Sequence, residues 1–255
     1  MEQWKDRGII LAARPHGEGG AIVSVLTEYH GRHAGYVRGA FSRRMRGILQ
    51  PGNLVDLQWS ARISDSLGSY SIEQERNLAA PYLADPLRLR AIQSACALCD
   101  SALPEREGHP GLFYGLQLMF DAMAEDIWGA AYVVWELAFL KELGFGLNLT
   151  RCAGGGDPAD LAYVSPRSGH AVSNEAAAPY KDRLLPLPAF LSPQKGSADE
   201  TEILKGLRLC GYFLRHWVYV HHSKGIPPER ARFEESYARM AADDSAVDEN
   251  AVMSA

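Results

Sequence analysis

The chain has 255 residues, enough for one or two domains with a sizeable core, and 47% apolar and 22% charged residues exclude collagen, coiled coil and disorder over most of the length. No run approaches about 18 uncharged apolar residues, and the opening MEQWKDRG lacks the apolar core of a secretory signal, so no membrane span and a cytoplasmic location are expected. A net charge of -5 speaks against a uniformly basic nucleic-acid binder, and four cysteines are too few for a disulfide scaffold.

Between Arg7 and Asn77 five short apolar runs are separated by turn residues: Gly8–Arg14, Ala21–Thr27, Arg32–Val37, Asn53–Arg62 and Ser69–Arg76. Val55, Leu57 and Trp59 alternate with Asp56, Gln58 and Ser60, the period of a strand with one buried face. Breakers lie at HGEGG (16–20), YHG (29–31), QPGN (50–53) and SLG (66–68). Five short strands without a helical period suit a small Greek-key barrel of the OB type, and an SH3-like barrel would read similarly.

After Pro81 the period changes. Ile92, Ala95, Cys96, Cys99, Ala102 and Leu103 recur at helical steps, as do Leu112, Leu116, Met119, Phe120 and Met123 beyond a break at 104–110. A third helix, Ile127–Leu143, is apolar all round and ends at Gly144 and Gly146. A loop-rich insert at about 152–193 follows, with one hairpin expected over Leu161–Ser173, then a long helix over Glu200–His222. From Glu229 to Ala255 seven acids meet three arginines, and the last dozen residues have no apolar period. The expected fold class is α+β: a five-stranded OB-fold barrel over 1–80, an all-helical domain over 81–242 carrying the insert, and a disordered tail over 243–255.

The charge is not evenly spread. Residues 1–80 carry a balance of +2 and the remainder -7, and the run 31–47 holds Arg32, Arg38, Arg43, Arg44 and Arg46 with no acid. Such a run favours a phosphate backbone, against the plainer reading of a solvated basic loop. Tyr36 and Phe41 interleave with these arginines and offer faces for base stacking, although aromatics at strand positions more often serve the core. Arg14, in the first inter-strand connection, extends the expected DNA-binding set.

Other candidate chemistry is weaker. Cys96 and Cys99 form a CxxC on an apolar helical face with no second pair, so burial is the expected reading. His216, His221 and His222 are spaced by five and six residues, which does not put them on one helical face. GEGG (17–20) and GGG (154–156) lack the phosphate-loop pattern, and no hydrolase or kinase motif occurs, so no catalytic residue and no enzyme activity are expected.

Several segments together resemble the RecO family of bacterial recombination and repair mediators: GIILAARPHGEGGAIVSVLTEYHGRHAGYVRGAFS, LQPGN at 49–53, ELAFLKELGFGLNLTRCA at 136–153, LAYVSPRSGHAVS, and LPLPAFL at 185–191. The resemblance implies an N-terminal OB-fold and a C-terminal helical domain. It implies binding of single- and double-stranded DNA, annealing of complementary strands, and loading of RecA together with RecR. It also implies contact with the C-terminal tail of single-stranded DNA-binding protein, for which Arg208 and Arg215, seven apart, are speculative candidates. Many members of the family carry a four-cysteine zinc motif after the ELGF helix, where this chain has only Cys152, so no metal and no other cofactor are expected and apolar packing is expected to hold the insert. The alternatives are an OB-fold adaptor for protein or RNA with no DNA role, and a metal-dependent hydrolase using the late histidines.

Overall fold

The computed structural model describes residues 2–63, 66–194 and 196–253, with side chains described as far as Asp243. The chain divides into two compact units, Met1–Asp121 with Pro227–Arg230, and Ala122–Ile226 with Ala231–Ala255. No described helix is long and apolar enough to cross a membrane.

The first unit is built on five strands, β1 (Glu2–His16), β2 (Gly20–Thr27), β3 (Arg32–Arg38), β4 (Leu54–Ala61) and β5 (Ser69–Arg76). They close into a barrel in the order β1-β2-β3-β5-β4, which is the OB arrangement. β1 is twice as long as its apolar run because it serves two neighbours: Glu2–Ile9 pair with β4, and Gly8–His16 pair with β2. A register shift between Ile10 and Ala12 lets the strand bend from one partner to the other. At the crossover a Cβ on Gly8 would stand 2.3 Å from Val25, so the close strand approach requires glycine there. The alternating residues Val55, Leu57 and Trp59 point inward with Val23, Val25, Val37 and Ile72, as their period implies.

A histidine enters this core. His33 is buried among Trp4, Trp59 and Tyr70, with its Nδ1 3.0 Å from the Tyr70 hydroxyl. Burial pushes its imidazole down to about 4, and the Arg106 guanidinium pushes in the same direction. The unfolded chain binds a proton near pH 6.5 and the folded chain does not until about 4, so stability is complete above 6.5 and falls as the pH drops toward 4. Thermal unfolding of wild type should therefore lose about 2–3 kcal/mol between pH 7 and pH 4.5 relative to His33→Gln, whose pH profile should be flatter.

A short helix absent from the sequence expectation, α1 (Arg43–Ile48), joins β3 to β4. Ser42 caps it by accepting the Met45 N–H at 3.3 Å, and Ile48 and Leu49 are buried in the barrel core. Two longer helices, α2 (Pro86–Ala102) and α3 (Pro110–Asp121), also belong to this unit. Asp85 caps α2 through the Leu87 and Arg88 N–H groups, and Pro86 starts it. The stripe Ala91, Ile92, Ala95, Cys96 and Cys99 is buried, and the Cys96 thiol donates to the Ile10 carbonyl of β1 at 3.6 Å. The connection after α2 is laid along the start of β3: Arg106 N–H donates to the Arg32 carbonyl at 2.8 Å. Gly31 turns β2 into β3 at φ +67°, and a Cβ there would lie 1.8 Å from the Glu107 carbonyl oxygen.

In the second unit α4 (Trp128–Glu142) is the apolar helix expected at 127–143, with Tyr132, Val133, Phe139 and Leu140 fully buried. The insert forms a three-stranded sheet, β6 (Leu161–Val164), β7 (Ala171–Ser173) and β8 (Leu185–Pro186), in the order β7-β6-β8. A four-residue helix, α5 (Asn174–Ala177), follows β7. α6 (Glu200–Phe213) packs on α4, where Gly206 admits Val133. The long helix expected to reach His222 stops at Phe213, and a π-helical turn carries the chain over Leu214–Val218. α7 (Pro228–Met253) was not anticipated, yet Phe233, Tyr237 and Ala241 are buried at steps of four. Its backbone is helical through Met253, over most of the stretch 243–255 expected as a disordered tail; residues 254–255 and the side chains of 244–253 lie outside the described residues.

Candidate nucleic-acid interface

The strand register places the basic and aromatic residues of 14–46 on two adjoining surfaces of the barrel. Arg14, Ile22 and Tyr36 form one row across β1, β2 and β3, and Gly20 stands beside Arg38 in the next row, so these side chains share the outer face. The Tyr36 ring lies over Gly20, where a Cβ would meet its hydroxyl at 2.1 Å, and its edge faces the His16 ring at 6.3 Å. Phe41, Arg43, Arg44 and Arg46 instead sit beyond β3, at the rim of the barrel mouth.

The five-arginine run does not act as one set. Arg32 is a strut: its Nε donates to the Leu103 carbonyl at 2.8 Å, its Nη1 reaches Glu105 at 3.2 Å, and only 17% of its side chain is exposed. Two of the donors of Arg32, which the sequence counts among the DNA-binding set, and part of its charge are thus engaged within the protein. Arg14 pairs with Asp100 of α2 yet remains 61% exposed, so its charge is compensated without being covered. Arg38, Arg43, Arg44 and Arg46 are exposed and make no ion pair among the described residues. Those four cations are the electrostatic content of the site.

What holds the rim was not apparent in the sequence. Asn53, completely buried, donates through Nδ2 to the Gly47 and Ile48 carbonyls at 2.8 and 3.1 Å and accepts the Leu78 N–H at 3.2 Å. It thus satisfies the free carbonyls at the end of α1 and ties that helix to the barrel wall. Gln50 Nε2 donates to the Arg46 carbonyl at 2.8 Å. In sequence both residues belong to the QPGN breaker and read only as a turn.

The other wall of the barrel has the opposite sign. Asp56 faces Glu73 directly across β4 and β5, and Glu28 and Glu75 lie beside Arg7, which bonds Glu75 at 2.8 and 2.9 Å. Cationic rim and acidic wall are thus segregated on the barrel, while the excess of negative charge in the chain lies in residues 81–255.

The remaining candidates fall outside this surface. Cys96 and Cys99 are fully buried, and burial pushes both thiols up. His216 stacks on Tyr212 with ring centroids 4.1 Å apart, its Nδ1 2.9 Å from the Tyr212 carbonyl. Arg208 is exposed on α6, whereas Arg215 lies in the π turn and pairs with Glu234 at 3.6 Å. The π turn begins only at Leu214, so the two positions still lie on similar faces, but Arg215 is engaged by Glu234 while Arg208 is exposed. In the insert the Ser173 N–H donates to Cys152 Sγ at 3.2 Å, and the Ser173 hydroxyl lies 3.4 Å from it. Burial raises this thiol, but hydrogen bonds from Ser173, Gly154 and Gly156 outweigh that and hold it below its ordinary value. Among the described residues no three His, Cys, Asp or Glu side chains gather as a metal site.

Comparison with known proteins agrees with this architecture. The family model described as Recombination protein O N terminal matches residues 1–75, which span the barrel, and that described as Recombination protein O C terminal matches 83–224. The chain is 50% identical over 240 residues to the DNA repair protein RecO of Rhodospirillum centenum, covering 93% of this chain and 95% of that protein. It is 48% identical over 251 residues to the protein of the same name from Rhodospirillum rubrum, covering 96% and 100%. With that of Ruegeria sp. it shares 45% identity over 238 residues, covering 92% and 98%. A chain whose barrel and helical part each match a half of one family, and whose relatives align along nearly their whole length, belongs to the RecO family.

Proposed function

We propose that this chain is a non-catalytic mediator of DNA repair and homologous recombination, which holds single- and double-stranded DNA on its barrel and anneals complementary strands. The observation that carries the reading is a set of four exposed arginines, Arg38 on the outer face and Arg43, Arg44 and Arg46 at the adjoining rim, without carboxylate partners among the described residues. Guanidinium groups so placed exchange condensed counterions for protein contacts and screen the repulsion between two anionic strands. Base pairing supplies the downhill free energy of annealing, so no nucleotide hydrolysis is required. Arg14 and Tyr36 extend the surface along the β1–β3 face, with Arg14 contributing less because Asp100 shares its charge. Family membership supports the further steps: joint action with RecR, contact with the tail of single-stranded DNA-binding protein, and delivery of RecA to the coated strand in the cytoplasm.

Four phosphate contacts on a single strand give a slope of log affinity against log salt of about -2.8, at about -0.7 per contact. Titrating oligonucleotide binding and annealing across salt, without ATP, tests the reading. An OB-fold adaptor for protein would show no steep slope, and that result would remove the DNA assignment.

The protein is proposed to work without zinc. Where the family motif would need four sulfurs the chain has Cys152 alone, and no three His, Cys, Asp or Glu side chains gather among the described residues, whereas a structural zinc takes four ligands. Hydrogen bonds converging on Cys152 organise this loop, where apolar packing was the sequence expectation. Chelation should leave the thermal unfolding curve unmoved, and elemental analysis of the purified protein should find no stoichiometric zinc.

A further inference from the structure

We propose that the mouth of the barrel takes up one unpaired nucleobase against Phe41, and that this makes the arginine rim prefer single strands to duplex. The inference rests on the nucleic-acid reading above and adds to it the place of a base. A cleft of about 280 Å³ opens at the end of the β1–β2 ribbon, walled by Ala13, Pro15, Phe41 and Leu49, with Arg46 and Gln50 among its lining. Among the described residues no carboxylate lines it. Apolar walls with one guanidinium and one amide suit a flat heteroaromatic group tethered to an anion. A free phosphate would leave the apolar walls unused, and an aliphatic side chain would leave the guanidinium unused.

Phe41 is 39% exposed, and its backbone is held on both sides. Ala40 before it is buried in the barrel core, and Ser42 after it donates its N–H to the Gly39 carbonyl at 3.1 Å and caps α1. A stacking platform whose backbone is already ordered loses little entropy when a base arrives. Arg46 lines this cleft and also a second one of about 400 Å³ that continues over Gln50 and Pro51 toward Leu83. A phosphate gripped by Arg46 therefore lies next to the base in the mouth. In a duplex that base is paired and stacked, and extruding it costs a few kcal/mol, so the cleft adds affinity only for an unpaired strand.

The test is a set of anisotropy titrations of the full chain with three probes: an oligothymidine, the same oligomer built from abasic sugars, and a duplex of equal length. Phe41→Ala should weaken binding of the oligothymidine about fivefold or more, as expected for one lost stack, while Phe41→Trp preserves it. Neither variant should change binding of the abasic oligomer or the duplex. Equal losses on all three probes would show Phe41 to be only a structural part of the rim and would overturn the proposal. So would an unchanged oligothymidine affinity, with thermal unfolding verifying that the variant is folded. If wild type bound none of the probes, the nucleic-acid reading itself would fall. If wild type bound all three and only the Phe41 dependence were missing, the base cleft alone would fall.

Discussion

Replacing Arg43, Arg44 and Arg46 together by alanine should lower single-strand affinity about 50-fold at physiological salt and slow annealing in proportion. The magnitude follows from counterion release. Each contact adds about 0.7 to the salt slope, which at about 0.15 M salt is worth a factor of about four, and three contacts multiply. The slope itself should shrink by about 2, leaving a residual dependence carried by Arg38 and Arg14. Binding to different sequences should fall alike, because contacts to phosphate carry no sequence information. The fold should survive, since these three side chains are exposed and make no ion pair among the described residues. Undiminished annealing by a folded triple variant would move the site away from the rim.

The second large effect concerns the residue that holds the rim in place. Asn53→Ala removes two donors and one acceptor from a completely buried site, leaving the Gly47 and Ile48 carbonyls and the Leu78 N–H without their partner. Unmade buried hydrogen bonds cost about 1–3 kcal/mol each, and with partial relaxation a total near 3–4 kcal/mol is expected. For a chain of this size that lowers the melting temperature by about 10 °C, readable by calorimetry. Single-strand affinity should fall as well, although Asn53 touches no ligand, because α1 loses its tie to the barrel wall and the three arginines lose their common orientation. Asn53→Asp keeps the acceptor for Leu78 but turns a buried carboxylate oxygen toward the Gly47 and Ile48 carbonyls, so stability and affinity should both fall at least as far as in Asn53→Ala.

Much of the fold is legible from local pattern. The alternation Val55–Asp56–Leu57–Gln58–Trp59 can place its apolar side chains on one face only as a strand, and the α2 stripe can do so only as a helix. Three helices escaped, the four-residue α5 because it is barely one turn long and the other two for different reasons. α1 is six residues long, too short to display a helical period, and forms because its end is buried and Asn53 receives its carbonyls. α7 does carry a period in Phe233, Tyr237 and Ala241, but acids and arginines dominate its composition and obscure it.

The same division runs through the site. That arginines and aromatics cluster between residues 31 and 47 is a property of the chain, as is the succession of five strands that brings them to a barrel. Which of those cations remains available is not. Arg14 meets Asp100 from 86 residues away and Arg32 meets Glu105 from 73, while Arg43, Arg44 and Arg46 meet no such acid among the described residues. Side-chain periodicity depends on neighbours along the backbone, so sequence reveals it. The attraction between charges depends on their separation in space and on the water excluded between them, and both are set only when distant segments fold together.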